Sequence, residues 1–134
     1  MSTTLRLASF LLIGSLLSLA TGCGADSHES LAKTAMGHME SFVKVIENVT
    51  DQESAKQAKG KIEAIGTKLK ALKERMDKLP KATAEQEKEI IEMMKGRQEA
   101  FAKRMNEAMA KLMTQPDVLT ELSKSMDQMK QFDF

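Results

Sequence analysis

The sequence contains no tryptophan, no tyrosine and a single cysteine, and only 4% of its 134 residues are aromatic. A single cysteine excludes any disulfide bond within the chain. Sheets favour aromatic and β-branched residues, so the shortage of aromatics, together with eleven methionines, favours helices over strands. The chain is 42% hydrophobic and 29% charged, a balance that is typical of one folded globular domain.

Motifs that carry catalysis are also missing. The chain has no G-x-S-x-G, no phosphate-binding glycine loop, no H-E-x-x-H and no C-x-x-C-H. Its two histidines, His28 and His38, lie ten residues apart and therefore not on adjacent turns of one helix face. We therefore expect a protein without enzymatic activity, with no catalytic residues and no bound cofactor.

The first 22 residues differ in composition from the rest of the chain. Arg6 and the α-amino group give a weakly positive start, and residues 7–20 form a run of fourteen apolar or small residues without charge. This run is shorter than the stretch of about 20 residues that a membrane-spanning helix needs. It matches instead the hydrophobic core of a secretory signal, and small residues follow it where a peptidase would cleave.

The stretch LATGC, residues 19–23, resembles the lipobox of bacterial lipoproteins. In that family the cysteine thiol receives a diacylglyceryl group, and signal peptidase II cleaves before it. The resemblance implies that residues 1–22 are a signal peptide and that Cys23 is the lipidated first residue of an exported, membrane-anchored protein. Gly24 implies sorting to the outer membrane, facing the periplasm, in a Gram-negative organism. In other bacteria the anchor would hold the protein on the outer face of the cell membrane.

Cys23 also has plainer interpretations. It could be a free thiol beside a conventional cleavage site, or a small buried residue. An unpaired exposed thiol is a liability in an oxidising compartment, and lipidation removes that difficulty. Two acyl chains would also give stable anchoring, where one gives only marginal binding.

Charge is balanced overall but unevenly distributed. The chain has 20 basic and 19 acidic residues, and removal of Arg6 with the signal leaves 19 of each. Nucleic-acid binding needs a basic footprint, so we expect no nucleic-acid partner. Residues 51–81 carry nine basic and five acidic side chains. This excess can set helix pairing and solubility, or it can meet anionic lipid headgroups or an acidic partner.

Four segments carry apolar residues at intervals of three and four, which predicts four amphipathic helices. Thr50 with Glu53, and Thr83 with Gln86, have capping-box spacing and predict the starts of the second and third helices. Pro80 ends the second helix, and residues 114–117 separate the third from the fourth. The predicted inward positions are Ala32, Ala35, Met39, Phe42, Ile46 and Val49; Ala55, Ala58, Ile62, Ile65, Leu69, Leu72, Met76 and Leu79; Ile90, Met94, Phe101, Met105, Ala108 and Leu112; and Leu119, Leu122, Met126 and Met129.

The three connections are short, so we expect consecutive helices to be antiparallel neighbours. The sequence therefore predicts an all-α, antiparallel up-down bundle of three to four helices over residues 31–134. A long hairpin of the second and third helices lies at its centre, and residues 23–30 form a lipidated tether. The regular spacing in the second helix also permits coiled-coil pairing between chains. Since four amphipathic segments can cover one another, we favour a monomer over such a dimer.

An anchored bundle without catalytic motifs predicts a binding or scaffolding role, with the membrane and a protein as partners. A structural coiled-coil oligomer is one alternative. At the end of the chain, Phe132 and Phe134 either cap the bundle or form a small adhesive tail.

Methionine suggests another alternative, a periplasmic copper-binding protein. Soft thioether ligands suit Cu(I) in an exported protein. Methionine is also flexible filler for helical cores, so we assign no metal site. The methionines expected in one half of the bundle are Met36, Met39, Met105, Met126 and Met129, with Met109 and His38 nearby.

The anchor is directly testable. We expect the intact mass of the protein, extracted from its native membrane fraction, to correspond to a chain that starts at Cys23 and carries two or three acyl chains. An unmodified chain, either whole or cut elsewhere, would contradict the lipobox interpretation and leave only the bundle.

Overall fold

The computed structural model describes residues 26–129, which form four helices and no strand. Helix α1 spans His28–Glu47, α2 Gln52–Met76, α3 Ala84–Met113 and α4 Pro116–Met129. The predicted all-α bundle is confirmed. None of these four helices is long and apolar enough to cross a membrane. The predicted signal peptide, Cys23, Phe132 and Phe134 lie outside the described residues.

Capping boxes begin the first three helices. Thr83 Oγ1 accepts a hydrogen bond from the Gln86 backbone N–H at 3.3 Å, and Gln86 Oε1 accepts one from the Thr83 N–H at 3.0 Å. This confirms the predicted start of α3. Reciprocal bonds of the same kind join Ser27 and Ser30 at the start of α1. Each box satisfies backbone donors that the first turn of a helix leaves unpaired.

The predicted start of α2 is wrong by one residue. Asp51, not Thr50, is the N-cap, and its Oδ1 accepts a hydrogen bond from the Ser54 N–H at 2.8 Å. A carboxylate at this position also interacts favourably with the positive end of the helix dipole, which a threonine hydroxyl cannot match. The hydrogen bonds from Ser54 lower the pKa of Asp51 below its usual value.

The two longest helices lie diagonally across the bundle. Helix α1 packs against both α2 and α3, and α4 packs against the same two helices. Among residues 26–129 no pair of α2 and α3 residues comes within helix-packing distance. The expectation that α2 and α3 form a packed central hairpin is therefore wrong, although their directions alternate as predicted. Residues 77–83 between them are long enough to cross the diagonal.

Helix α1 is buried on a wide face because it lies between α2 and α3. Leu31, Ala35 and Phe42 belong to the main core, which they share with residues of α2, α3 and α4. Ala32 and Met36 are also buried, but they lie outside that cluster and line spaces shared with α3. This second buried side is what allows α1 to hold the two long helices apart.

Helix α4 covers only one half of the bundle. Lys59 Nζ lies 3.1 Å from Glu121 Oε1, and a Cβ built on Gly66 would lie 3.7 Å from Met129 Sδ, so α4 runs parallel to α2 beside its first half. At 1.5 Å per residue the 14 residues of α4 extend about 21 Å, while the 30 residues of α3 extend about 45 Å. Accordingly, the only buried residues of α3 are Ala108 and Leu112, near its end.

Two isoleucines allow a matched test of this core. Ile62 is 1% exposed and Ile91 is 64% exposed. We expect Ile62→Ala to lower the free energy of unfolding by about 2–5 kcal/mol, because it leaves a cavity in the core. Ile91→Ala should change it by less than about 0.5 kcal/mol. Urea denaturation followed by circular dichroism measures both, and equal losses would contradict the assigned core.

Candidate functional site: an apolar groove between α1 and α3

The part of α3 that α4 leaves uncovered forms an apolar groove with α1. One stretch of the groove encloses about 220 Å³, and the next about 380 Å³. A single helical turn separates the two stretches, from Ala32 to Met36 on α1 and from Ile90 to Met94 on α3. We call both stretches together the open groove. The first is lined by Met36, Met39, Met94, Gln98 and Phe101, and the second by His28, Ala32, Met76, Ala82, Glu87, Ile90 and Ile91.

The wall that α3 contributes follows from its sequence. Ile90, Met94 and Phe101 recur at intervals of four and seven, which places them on one face of the helix. All three are half-buried, because α1 covers only one side of that face. Ile91 widens the apolar surface beyond this stripe and is 64% exposed. An exposed apolar surface of this kind in a small domain is typical of an interaction site.

Two arginine–glutamate pairs fix the alignment of α1 and α3. Arg97 Nε donates to Glu40 Oε1 at 2.9 Å, and Arg104 Nε donates to Glu47 Oε1 at 2.8 Å. Each arginine is seven residues from the other, as is each glutamate, so the same contact repeats after two turns of parallel helices. These pairs hold α1 and α3, which form the two sides of the groove, in register.

Arg104 and Glu47 are joined by two hydrogen bonds. Arg104 also places Nη2 2.5 Å from Glu47 Oε2, which makes the contact bidentate, and each side chain is about one third exposed. The hydrogen bonds from Arg104 lower the pKa of the Glu47 carboxyl and raise the pKa of the guanidinium. The charged forms of both groups are therefore favoured in the folded state.

One end of the groove lies where the chain enters the bundle. Arg75 Nε donates to Asp26 Oδ2 at 2.8 Å, and His28 Nε2 donates to the Pro80 carbonyl oxygen at 2.7 Å. Helix α1 begins at His28, so part of the segment predicted as a tether, residues 23–30, belongs to the first helix. The open groove thus begins close to Asp26, the first residue that the structure describes.

The structure places the predicted methionines against the core or along the groove, and Met39 belongs to both. Met36 and Met39 lie together and are joined by Met94. Met39, Met105, Met109 and Met126 are half-buried against the core, and Met129 is buried beside Gly66. His38 does not line the groove. Within residues 26–129 no three His, Cys, Asp or Glu side chains are grouped so that they could hold a metal ion.

Ile91 is one of the groove residues that the periodicity did not indicate. It lies outside the regular stripe of inward positions, which assigns Ile90 and Met94 but not their neighbours. The available signal was the doubled apolar pattern of residues 90–94, IIEMM, which is wider than one packed face requires.

Comparison with known proteins adds no family to this description. Neither protein-family models, nor curated proteins, nor solved structures give a match to the chain. The interpretation of the groove therefore depends on the chemistry of its own residues.

The Arg104–Glu47 pair predicts a pH dependence of stability. Because the folded-state pKa of Glu47 is lowered from its usual value of 4.5, the pair stabilises the fold above about pH 4.5 and loses this effect as pH falls through the lowered pKa. We expect Arg104→Gln to lower the urea midpoint at pH 7 and to differ progressively less from the natural chain as pH falls towards 3.

Lys95→Gln is the matched control, since Lys95 is an exposed cation of the same helix and forms no ion pair within the described residues. It should change the urea midpoint little at either pH. An Arg104→Gln effect of equal size at pH 7 and pH 3 would show that the pair contributes through packing and not through charge.

Proposed function

We propose that this protein is an exported lipoprotein of the bacterial envelope, anchored through Cys23, whose helical bundle binds a partner protein and performs no catalysis. The sequence LATGC at residues 19–23 supports the anchor. In a Gram-negative cell the protein would then lie on the outer membrane and face the periplasm. The ion pair with Arg75 holds Asp26 on the bundle. Asp26 follows Cys23 by three residues, which span at most about 11 Å. An anchor at Cys23 would therefore hold the bundle close to the membrane surface.

The open groove is the observation that carries the binding role. It runs along α1 and α3 over more than two helical turns, from Ile90 to Phe101, so its length suits a helix. The ligand that fits is an amphipathic helix of the partner, with apolar side chains at intervals of three and four. The methionines Met36, Met39 and Met94 can adapt to side chains of different shape, as methionine does at many binding surfaces.

Copper binding is the second candidate. Three thioethers, from Met36, Met39 and Met94, line the same stretch of the groove, and thioethers suit Cu(I). We favour the protein partner because the groove continues past these methionines to Ile90 and Ile91. A metal site has no need of that additional apolar surface.

The burial of the apolar residues of α2 supports a monomer over a coiled-coil oligomer. Ile62, Leu69 and Leu72, which would form the seam between two chains, are at most 5% exposed in this fold. Pairing between chains through them would require the bundle to open, at the cost of its own core.

Site-specific photo-crosslinking in cells tests the binding role. A crosslinker at position 94 lies in the groove, and one at position 113 replaces a methionine that is 72% exposed on the same helix. We expect a partner adduct from position 94 and none from position 113. Addition of Ile91→Glu, which places a charge on an exposed residue of the groove, should abolish the adduct.

Two results would contradict this function. The same adducts from positions 94 and 113, or an adduct that survives Ile91→Glu, would show that the groove does not select the partner. Retention of Cys23→Ser in the membrane fraction, without acyl mass, would separately contradict the anchor.

A further inference from the structure

The side of α2 that contacts α4 continues along the open groove. Lys59 Nζ lies 3.1 Å from Glu121 Oε1 of α4. Seven residues later, a Cβ built on Gly66 would lie 3.7 Å from Met129 Sδ of α4. Seven residues are about two helical turns, so the next position on this side is Lys73, which is exposed. A helix beside Lys73 would meet a positive charge, as α4 does at Lys59.

Two more exposed lysines lie near Lys73. Lys70 precedes it by three residues on the same side of α2. On the opposite side of the groove, Ile91 of α3 and Met76 of α2 line one stretch. Because α2 and α3 run in opposite directions, Lys95, four residues after Ile91, lies almost level with Lys73. Within residues 26–129 these three lysines form no ion pair.

The nearest acidic residues do not offset these charges in the middle of the groove. Asp77 is the C-cap of α2 and Glu87 lies in the first turn of α3, so both are at the end beside the connection. Glu63 lies in the half of α2 that α4 covers. Glu74 follows Lys73 by one residue, which places it about 100° further round the helix, away from the groove. The middle of the groove border is therefore positive.

We infer that the helix that binds the open groove is acidic along both flanks, with Asp or Glu side chains that meet Lys70 and Lys73 on one side and Lys95 on the other. This inference rests on the proposed binding role and adds the charge of the ligand. The apolar lining supplies the burial, and the lysines select among amphipathic helices, because like charges across an interface are unfavourable.

Charge also favours a partner protein over the other surfaces that could cover the groove. Two copies of this chain joined groove to groove would bring the same lysines together across a two-fold axis, and these would repel one another. A flat layer of anionic headgroups could reach the lysines but would leave the apolar lining between them uncovered. An acidic amphipathic helix satisfies both the border and the lining.

A photo-crosslinker at position 94 of the full chain, in an uncharged detergent, tests the charge of the ligand. The probes are two synthetic amphipathic helices with the same leucine stripe, one with glutamate and one with lysine at every flanking position. We expect the glutamate peptide to give about ten times more adduct, since attraction to three lysines replaces repulsion. About 0.5 M salt should reduce this selection, because it screens exposed charges.

Two pairs of substitutions locate the effect. Lys70→Gln with Lys73→Gln removes two charges from the groove border and should reduce the selection to about twofold. Lys61→Gln with Lys68→Gln is the matched control, because it removes two charges from the other side of α2, where Lys61 lines a space shared with α1. It should leave the selection unchanged. All four lysines are exposed, so circular dichroism should show the same helix content in both variants.

Four results would overturn the inference. Equal labelling by the two peptides, or equal effects of the two lysine pairs, would do so while leaving the binding role in place. Labelling by neither peptide would contradict the binding role and the inference together. Without peptide, an adduct at the mass of two chains, or attachment to residues 130–134 of the same chain, would show that this protein fills its own groove.

Discussion

Residues 116–129 of α4 cannot cover all 30 residues of α3, and this difference determines where the described part of the bundle is closed. Beside the first half of α2, four helices surround a closed core that contains Ile62, Leu112 and Leu122. Beyond the level of Met129 the described residues belong to α1, α2 and α3, and three helices leave one side of their shared interior open. The groove adjoins this core, because Met39 and Met76 line the groove and also pack against the core.

Polar contacts compensate for this limited burial in α3. Its uncovered half has no buried side chain, and Glu40 and Glu47 of α1 hold the helix through Arg97 and Arg104. Ion pairs as exposed as these are screened by water and contribute little to stability. The first half of α3 therefore has no fully buried side chain to hold it, and we expect it to open more readily than the closed half of the bundle. A binding surface at this position can adjust to its ligand without disturbing the core.

Local patterns determined most of what could be predicted, because helix periodicity and capping depend on neighbours in sequence. The inward stripe of α2 and the box of Thr83 with Gln86 are examples. Which helices touch is a different question, since an apolar stripe shows that a face is buried but not what buries it. The residues between Met76 and Ala84 can join neighbours or cross a diagonal, and nothing local distinguishes the two. The grouping of Met36 with Met39 follows from α1 alone, while the addition of Met94 depends on α3 lying beside α1.

The contacts of Asp26 and His28 have a mechanical consequence. Together they join the entry of the chain to Arg75, at the end of α2, and to the Pro80 carbonyl, in the connection to α3. A pulling force applied ahead of Asp26 is therefore shared at once by α1, α2 and that connection. Such a force loads several contacts in parallel, whereas a chain that entered through α1 alone would let that helix peel away one turn at a time.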